Sequence, residues 1–192
     1  MKNKNSNWIY SLILIGIVII QISSCNKDKD DPTPVKIGQT YQGGVVTYIL
    51  QPGENGYNKN AQHGLIAAPS DQSSGAAWGC YETQLSGAAG TKIGTGNQNT
   101  IAILYGCSES GIAAKICKSL TLGNKTDWYL PSKDELARLY ENRVAIGGFS
   151  NDAYWSSSEY INLSAWVHVF GSGNQYLHGK SYTCSVRAVR SF

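Results

Sequence analysis

Short alternating segments separated by turn residues fill the last part of the chain. We predict strands at Tyr154–Ser158, Ala165–Phe170, Gln175–His178 and Ser185–Val189, with a tight turn at Gly171–Asn174. The 192 residues include 21 glycines, 12 tyrosines and five tryptophans, but only one methionine. This composition is typical of turns and aromatic-rich strands and excludes a helical bundle.

The middle of the chain combines one hairpin with short helices. Strands at Gly43–Leu50 and His63–Ala68 predict the hairpin, and Ser70–Gly96 is predicted to be a long loop held by Trp78. Helices are predicted at Asn97–Tyr105 and from a Ser108 cap through Leu120 to a stop at Gly123.

One helix start is unusually clear. A short strand, Asp127–Leu130, precedes Pro131, and Ser132 and Glu135 have the spacing of a capping box. We therefore interpret Glu135 as a helix cap rather than as a catalytic acid. The order of hairpin, two or three short helices and a C-terminal antiparallel β-meander predicts an α+β fold.

The N-terminus is typical of a secreted lipoprotein. Lys2 and Lys4 precede an uncharged apolar stretch, which predicts a signal peptide over residues 1–24. Ile22-Ser23-Ser24-Cys25 resembles a bacterial lipobox, which implies lipidation of Cys25; the alternative is a membrane anchor with an incidental cysteine. We expect the lipid on Cys25 to hold the protein on the outer membrane.

Residues 25–37 are charged and proline-containing, which predicts an extended tether before a domain at residues 38–192. The acidic run from Asp28 to Asp31 resembles the surface-export signal of Bacteroidetes lipoproteins. This resemblance favours display on the cell surface, with a periplasm-facing position as the alternative.

Charge and motifs exclude several functions. The formal net charge is only +3, and two lysines belong to the leader, so we expect no nucleic-acid partner. No phosphate-binding loop or nucleophile elbow is present, and Asp152 and Glu159 form only a weak candidate pair for glycoside hydrolysis. We expect no enzyme activity, no cofactor and no metal.

Four cysteines follow the lipobox: Cys80, Cys107, Cys117 and Cys184. They allow three pairings, and the sequence does not choose among them. We expect structural disulfides or partly free buried thiols, because none lies in a C-x-x-C pair and the three histidines are scattered.

The C-terminal strands supply a candidate binding surface. Trp166, His168 and Phe170 share one face of a predicted strand. An exposed face would form a binding platform and a buried face would form part of the core. Burial is favoured, because large aromatic side chains dominate cores. Polar and tyrosine side chains flank them and suit adaptable binding. The candidate ligand-binding residues are Tyr160, Asn162, Ser164, Asn174, Gln175, Tyr176, His178 and Tyr182.

Arg187 and Arg190 differ by three positions in a predicted strand, so they should point to opposite faces. At least one of them is therefore expected to form a structural ion pair.

Several motifs together resemble one family. Asp127–Leu136, Tyr154–Tyr160, Ala165-Trp166 and Val186–Arg190 resemble the Lcl C-terminal domain family, named after the Legionella collagen-like protein. The likeness spans about Gly38 to Phe192 and implies a C-type lectin-like fold. In that fold the terminal strands meet, and ligands contact the C-terminal half.

The departures limit what the resemblance implies. The chain lacks the Glu-Pro-Asn, Gln-Pro-Asp and Trp-Asn-Asp motifs of calcium-dependent lectins. It also lacks the second cysteine near Cys184 that formylglycine-generating enzymes would need. The leading hypothesis is therefore a non-catalytic envelope lipoprotein that binds an extracellular glycan or protein. The alternative is a structural or adhesin subunit that packs against envelope partners, and an enzyme is disfavoured.

Overall fold

Two sheets organise residues 33–192, the part of the chain that the computed structural model describes. The first sheet contains, in spatial order, β1 (Thr40–Tyr41), β2 (Gly44–Ile49), β3 (Gly64–Ala67) and β9 (Val189–Ser191). The second contains, in spatial order, β4 (Ser73–Ala77), β8 (Thr183–Val186), β5 (Ala153–Ile161), β6 (Ser164–Val169) and β7 (Gln175–Gly179). The predicted leader and the tether up to residue 32 lie outside the described residues.

The first sheet joins distant parts of the chain. The predicted hairpin is confirmed as β2 and β3, with Val46 opposite Ile66. The last strand, β9, pairs antiparallel with β3, so that Arg190 lies opposite Ile66. The early and late strands therefore meet in one sheet, as the family resemblance implied.

The second sheet is antiparallel with one exception. Strands β5, β6 and β7 follow one another as the predicted meander. The chain then crosses to the other side of β5, where β8 pairs in parallel through Tyr154 and Ser185 and antiparallel with β4. The meander is thus limited to three strands, because β8 pairs in parallel on the far side of β5 and β9 joins the first sheet.

Four short helices connect the sheets: α1 (Gly96–Gly106), α2 (Ala113–Lys118), α3 (Lys133–Glu141) and α4 (Arg143–Ile146). The capping box at α3 is confirmed. The Ser132 side chain accepts the amide of Glu135, and the Glu135 carboxylate accepts the amide of Ser132 at 2.8 Å. The α+β class is therefore confirmed. Among residues 33–192 no helix has the length and apolar character needed to cross a bilayer.

Three local predictions upstream of α3 are wrong. The predicted loop Ser70–Gly96 contains β4, which is stabilised by pairing with β8 although its Ser-Gly-Ala sequence has little β-propensity. Helix α2 begins after Ile112 instead of at a Ser108 cap, and it ends at Ser119, before Gly123.

Two predicted strands also need correction. Asp127–Leu130 forms only an isolated bridge, between Tyr129 and Val189. The single strand predicted at Ser185–Val189 is divided between β8 and β9, because Arg187 and Ala188 carry the chain from one sheet to the other.

Strand β5 is buried on both faces and separates two apolar cores. Trp155 packs into one core with Trp78 and Trp128, and Tyr154 packs into the other with Phe170. Because successive residues of a strand point to opposite sides, Tyr154 and Trp155 reach different cores. This central strand fixes the position of the β6–β7 hairpin, which carries most of the candidate site.

Candidate functional site

The register of β6 against β7 divides the predicted binding residues between two faces. On one face, Trp166 lies opposite Leu177 and His168 lies opposite Gln175. On the other, Val167 lies opposite Tyr176 and Ala165 lies opposite His178. Directly opposed residues share a face, so Gln175 and Tyr176 point in opposite directions. The eight candidates therefore do not form one site.

The first face carries an exposed group that we call the Trp166 patch: Tyr160, Trp166, Leu177 and Lys133. Tyr160 is 56% exposed and Leu177 is 38% exposed. The Tyr160 ring meets the half-buried Trp166 indole edge-on, with centroids 6.1 Å apart. The Lys133 ammonium lies 4.1 Å from the Trp166 ring centroid. The patch thus combines aromatic faces with one cation.

Helix α3 holds Lys133 in this position. Lys133 is the first residue after the Ser132 cap, and its amide donates to the Ser158 hydroxyl on β5 at 2.9 Å. The Gln175 side chain on β7 donates to the Lys133 carbonyl at 3.0 Å. The helix start is therefore attached to two strands of the sheet, and the cation over Trp166 is fixed by the fold.

The second face carries the Tyr176 patch: Tyr176, His178 and Tyr182. The rings of His178 and Tyr182 stack with centroids 4.8 Å apart, and Tyr176 meets His178 edge-on at 5.7 Å. Tyr182 is 61% exposed. Burial lowers the pKa of His178 below its usual value. The stack therefore favours the uncharged form of the His178 ring.

The remaining three candidates lie outside both patches. Asn162 is engaged structurally: its side chain donates to the Glu82 carbonyl at 3.3 Å, and its own carbonyl accepts from the Glu82 amide at 3.0 Å. Asn174 is exposed in the turn between β6 and β7, and Ser164 is half-buried at the start of β6. Neither belongs to either patch.

The face that contains Trp166, His168 and Phe170 is buried at one end and open at the other. His168 and Phe170 are buried, and the His168 ring packs 4.5 Å from the Tyr140 ring of α3. Burial lowers the pKa of His168. Trp166 lies beyond this contact and is half-buried. Burial was the correct prediction for two of the three residues.

Glu159 is engaged in a buried ion pair and is therefore no partner for Asp152. Its carboxylate lies 2.8 Å from the Lys180 ammonium, with both side chains fully buried. Lys180 also donates to the Thr83 carbonyl at 2.7 Å. Asp152 precedes β5 whereas Glu159 lies near its other end, roughly 20 Å away along the strand. That distance exceeds the carboxylate separation used in glycoside hydrolysis.

Both C-terminal arginines form ion pairs, which confirms and extends the prediction for them. The Arg187 guanidinium lies 2.7 Å from Asp71, and Arg187 is fully buried. Arg190 binds both oxygens of Asp127 at 2.8 Å each. The contact with Arg190 lowers the pKa of Asp127. These arginines have structural roles at the junction of the two sheets.

The cysteine pairing is now defined. Cys80 and Cys107 form a disulfide, whereas Cys117 and Cys184 are free and buried. Cys117 and Cys184, named as disulfide candidates, are therefore not bridged; the expectation of a structural disulfide with partly free buried thiols is confirmed. Burial raises the pKa of the Cys184 thiol to about 12, and that of Cys117 is raised as well. Both are expected to be unreactive at neutral pH, because the reactive form is the thiolate.

Two other places in the described part of the chain have features of a site. Cys80, Cys107 and Glu109 are the one grouping there with metal-ligand spacing, but the disulfide removes the two thiolates that would bind a metal. A cavity of about 270 Å³ lies beside the first sheet. His63 is the one ionisable side chain among its lining residues, and its Nδ1 contacts the Phe192 carbonyl at 3.0 Å.

Sequence reasoning missed Lys133 and Leu177 as members of the Trp166 patch. In the sequence, Lys133 belongs to a helix start and Leu177 to an ordinary strand. No sequence signal links Lys133 to Trp166, because the contact depends on how α3 packs on the sheet. The alternation of β7 did contain a signal for Leu177, since it separates Leu177 from Tyr176.

Comparisons with known proteins give the fold and the family. No curated protein matches this chain. A fimbrial protein from Bacteroides ovatus ATCC 8483 has a similar structure, with a TM-score of 0.52 and 14% sequence identity. The similarity covers 76% of this chain but only 43% of that protein, so this chain spans less than half of its neighbour. The model of the Lcl C-terminal domain matches residues 68–190. The chain therefore belongs to the Lcl C-terminal domain family.

Proposed function

We propose that this protein is a non-catalytic binding protein of the cell envelope that holds an extracellular glycan or protein on the Trp166 patch. The observation that carries the proposal is that exposed Tyr160 and Leu177 flank the half-buried Trp166 indole beside the Lys133 ammonium. Aromatic faces offer rigid contact area to sugars and proteins, and a nearby cation helps to orient the bound ligand. Exposed apolar patches of this kind commonly mark interaction sites.

The state of the acidic side chains supports binding without catalysis. Glu135 serves as a helix cap, and its second oxygen accepts the amide of Gly94 at 2.8 Å. Burial raises the pKa of Glu135, but its contacts occupy both carboxylate oxygens. Glu159 is neutralised by Lys180 in the interior. Neither carboxylate faces the Trp166 patch as a free acid or base.

The N-terminal sequence supports a location on the outer membrane. The basic start, the apolar segment and the lipobox-like Ile22–Cys25 favour a lipid on Cys25, and the acidic tether favours cell-surface display. If so, Cys25→Ala should release the protein from the membrane fraction, and protease added to intact cells should remove the domain from wild-type cells. Protection from protease would instead indicate a periplasm-facing position.

A binding screen tests the proposed site. Residues 31–192, purified under oxidising conditions, are applied to an array of glycans and host proteins. We expect a saturable hit that Tyr160→Ala and Trp166→Ala each weaken at least tenfold. Tyr105→Ala is the matched control, because Tyr105 is 95% exposed on α1, outside the patch. Equal binding by all three variants would remove the Trp166 patch as the site.

The fimbrial neighbour favours a second candidate function, a structural or adhesin subunit. In that case the domain packs against other envelope proteins, and its exposed patches are contacts within an assembly. Crosslinking on intact cells separates the two functions. A stoichiometric partner of a different chain would support the subunit, whereas a soluble ligand from the array would support the binding protein.

A further inference from the structure

Strand β7 forms an open edge of the second sheet. Among the described residues it pairs only with β6. Its five residues, Gln175–Gly179, contain no charge and no proline, and its ladder with β6 runs without a bulge. Natural proteins usually protect exposed edges with charges, prolines, bulges or very short strands. The β7 edge carries none of these protections.

The other edges differ from β7. Strand β1 has only two residues. Strand β4 pairs irregularly with β8, with a register shift between Ser73 and Ala76. Strand β9 has three residues, and Val189 also bridges to Tyr129, which covers part of that edge. A regular, uncharged edge of five residues is therefore specific to β7 within the described structure.

The backbone groups of β7 alternate between those bonded to β6 and those directed outward. The Val169 amide donates to the Asn174 carbonyl, and the Lys180 amide donates to the Leu163 carbonyl, at the two ends of the ladder. Because the pattern alternates, Tyr176 and His178 direct their backbone groups toward β6. Gln175, Leu177 and Gly179 therefore direct their amides and carbonyls outward, with Leu177 at the centre. The Gly179 carbonyl accepts the Tyr182 amide at 3.0 Å, so bonds to a second copy centre on Leu177.

We propose that β7 pairs antiparallel with β7 of a second copy of this chain, centred on Leu177. This pairing places Leu177 opposite Leu177 of the second copy, where the two outward amides and carbonyls bond each other. It places Tyr176 opposite His178 of the second copy. Leucine meets leucine and aromatic meets aromatic with no charge at the contact, so the strand is complementary to itself.

The flanking side chains fit this arrangement. The stacked His178 and Tyr182 rings extend the aromatic contact on one face, and Leu177 supplies an exposed apolar contact on the other. On the Leu177 face, the Lys133 ammonium lies over Trp166, one strand away from β7. The two Lys133 groups would be about 14 Å apart, three strand spacings, where salt screens their repulsion.

The dimer also has a functional consequence. A two-fold axis perpendicular to the joined sheets keeps both Trp166 patches on the same side. The two Trp166 residues of the dimer lie three strand spacings apart, about 14 Å. A ligand with repeated units would then contact two patches at once, which raises its overall affinity without new contacts.

Engineered cysteines test the register in the full-length protein. Opposed residues that do not exchange backbone bonds lie close enough for a disulfide. Tyr176→Cys with His178→Cys should therefore give a covalent dimer on mild oxidation, visible as a doubled mass without reductant. The matched control is Ser73→Cys with Gly75→Cys, which repeats the same spacing on the β4 edge and should remain monomeric.

Leu177→Pro tests the edge independently. The Leu177 amide points outward, so proline removes no bond within the domain, yet it blocks pairing between copies. Unmodified protein should approach twice the monomer mass by light scattering as concentration rises, and Leu177→Pro should remain at the monomer mass with an unchanged circular dichroism spectrum. A monomeric wild type, or a dimer unaffected by Leu177→Pro, would overturn the proposal.

Discussion

The inner strands and the outer hairpin of the second sheet use their side chains in opposite ways. In the inner strand β5, the polar and charged side chains from Ser156 to Glu159 are buried and paired, as Glu159 is with Lys180. In the β6–β7 hairpin, the large side chains of Tyr176 and Leu177 remain exposed. The comparison shows that paired polar groups fill the interior around β5, whereas the hairpin exposes aromatic and apolar side chains to solvent.

The largest expected effect comes from breaking the inner ion pair. Lys180→Met leaves the Glu159 carboxylate buried without its cation, so we expect a loss of about 3–5 kcal/mol in the free energy of unfolding, measured with urea. Adding Glu159→Gln to Lys180→Met should restore part of the loss. The exposed pair Arg138–Glu141 is the control, since Glu141→Gln should cost less than about 1 kcal/mol.

Removal of the disulfide should have the next largest effect on the free energy of unfolding. Cys80 and Cys107 are separated by 27 positions, and closing such a loop in the unfolded chain contributes about 3 kcal/mol. Cys80→Ser with Cys107→Ser should lower the free energy of unfolding by that amount. A reductant should destabilise the wild type but not this variant. Equal sensitivity of both proteins to the reductant would mean that the disulfide is not the stabilising element.

The hairpin aromatics should matter much less for stability. Tyr182 is 61% exposed, so Tyr182→Ala should change the free energy of unfolding by less than about 1 kcal/mol. Trp155 is fully buried on the adjacent strand, and Trp155→Ala should cost several times more. A large loss in Tyr182→Ala would contradict the distinction between the inner strands and the hairpin.

The smallest expected effect is a pH dependence. Burial lowers the pKa of His168 in the folded state, so below about pH 6.5 the unfolded chain binds the proton first. The free energy of unfolding should therefore fall as the pH drops from about 6.5 through the folded pKa. His168→Gln should flatten this slope, and adding His178→Gln should flatten it further. A slope that rises toward acid would exclude the burial of a neutral His168.

Local signals in the sequence predicted the fold best. The capping box at Ser132 and Glu135 was correct because its partners are three residues apart. Strand β4 was missed because its residues favour a loop and only the neighbouring β8 makes them a strand. The division of Ser185–Val189 was missed because Arg187, buried and bound to Asp71, directs the chain from one sheet to the other.

The arrangement of the candidate site also depends on contacts that the sequence does not specify. Residue types direct attention to the β6–β7 hairpin as a candidate, but the choice of face depends on the register between Trp166 and Leu177. Shifts in the pairing of β5 with β6 also decide that Glu159 enters the interior while Tyr160 stays exposed. These outcomes depend on bulges and long-range packing, which alternation alone does not specify.

The pairing of β3 with β9 has a kinetic consequence. The Phe192 carbonyl contacts His63 across 129 positions of the chain, so the first sheet closes only after nearly the whole domain is available. Contacts of such high sequence separation slow folding, because the entropy of a long loop is lost before the strands pair. During synthesis, the edge of β3 that binds β9 therefore stays unpaired until β9 emerges from the ribosome.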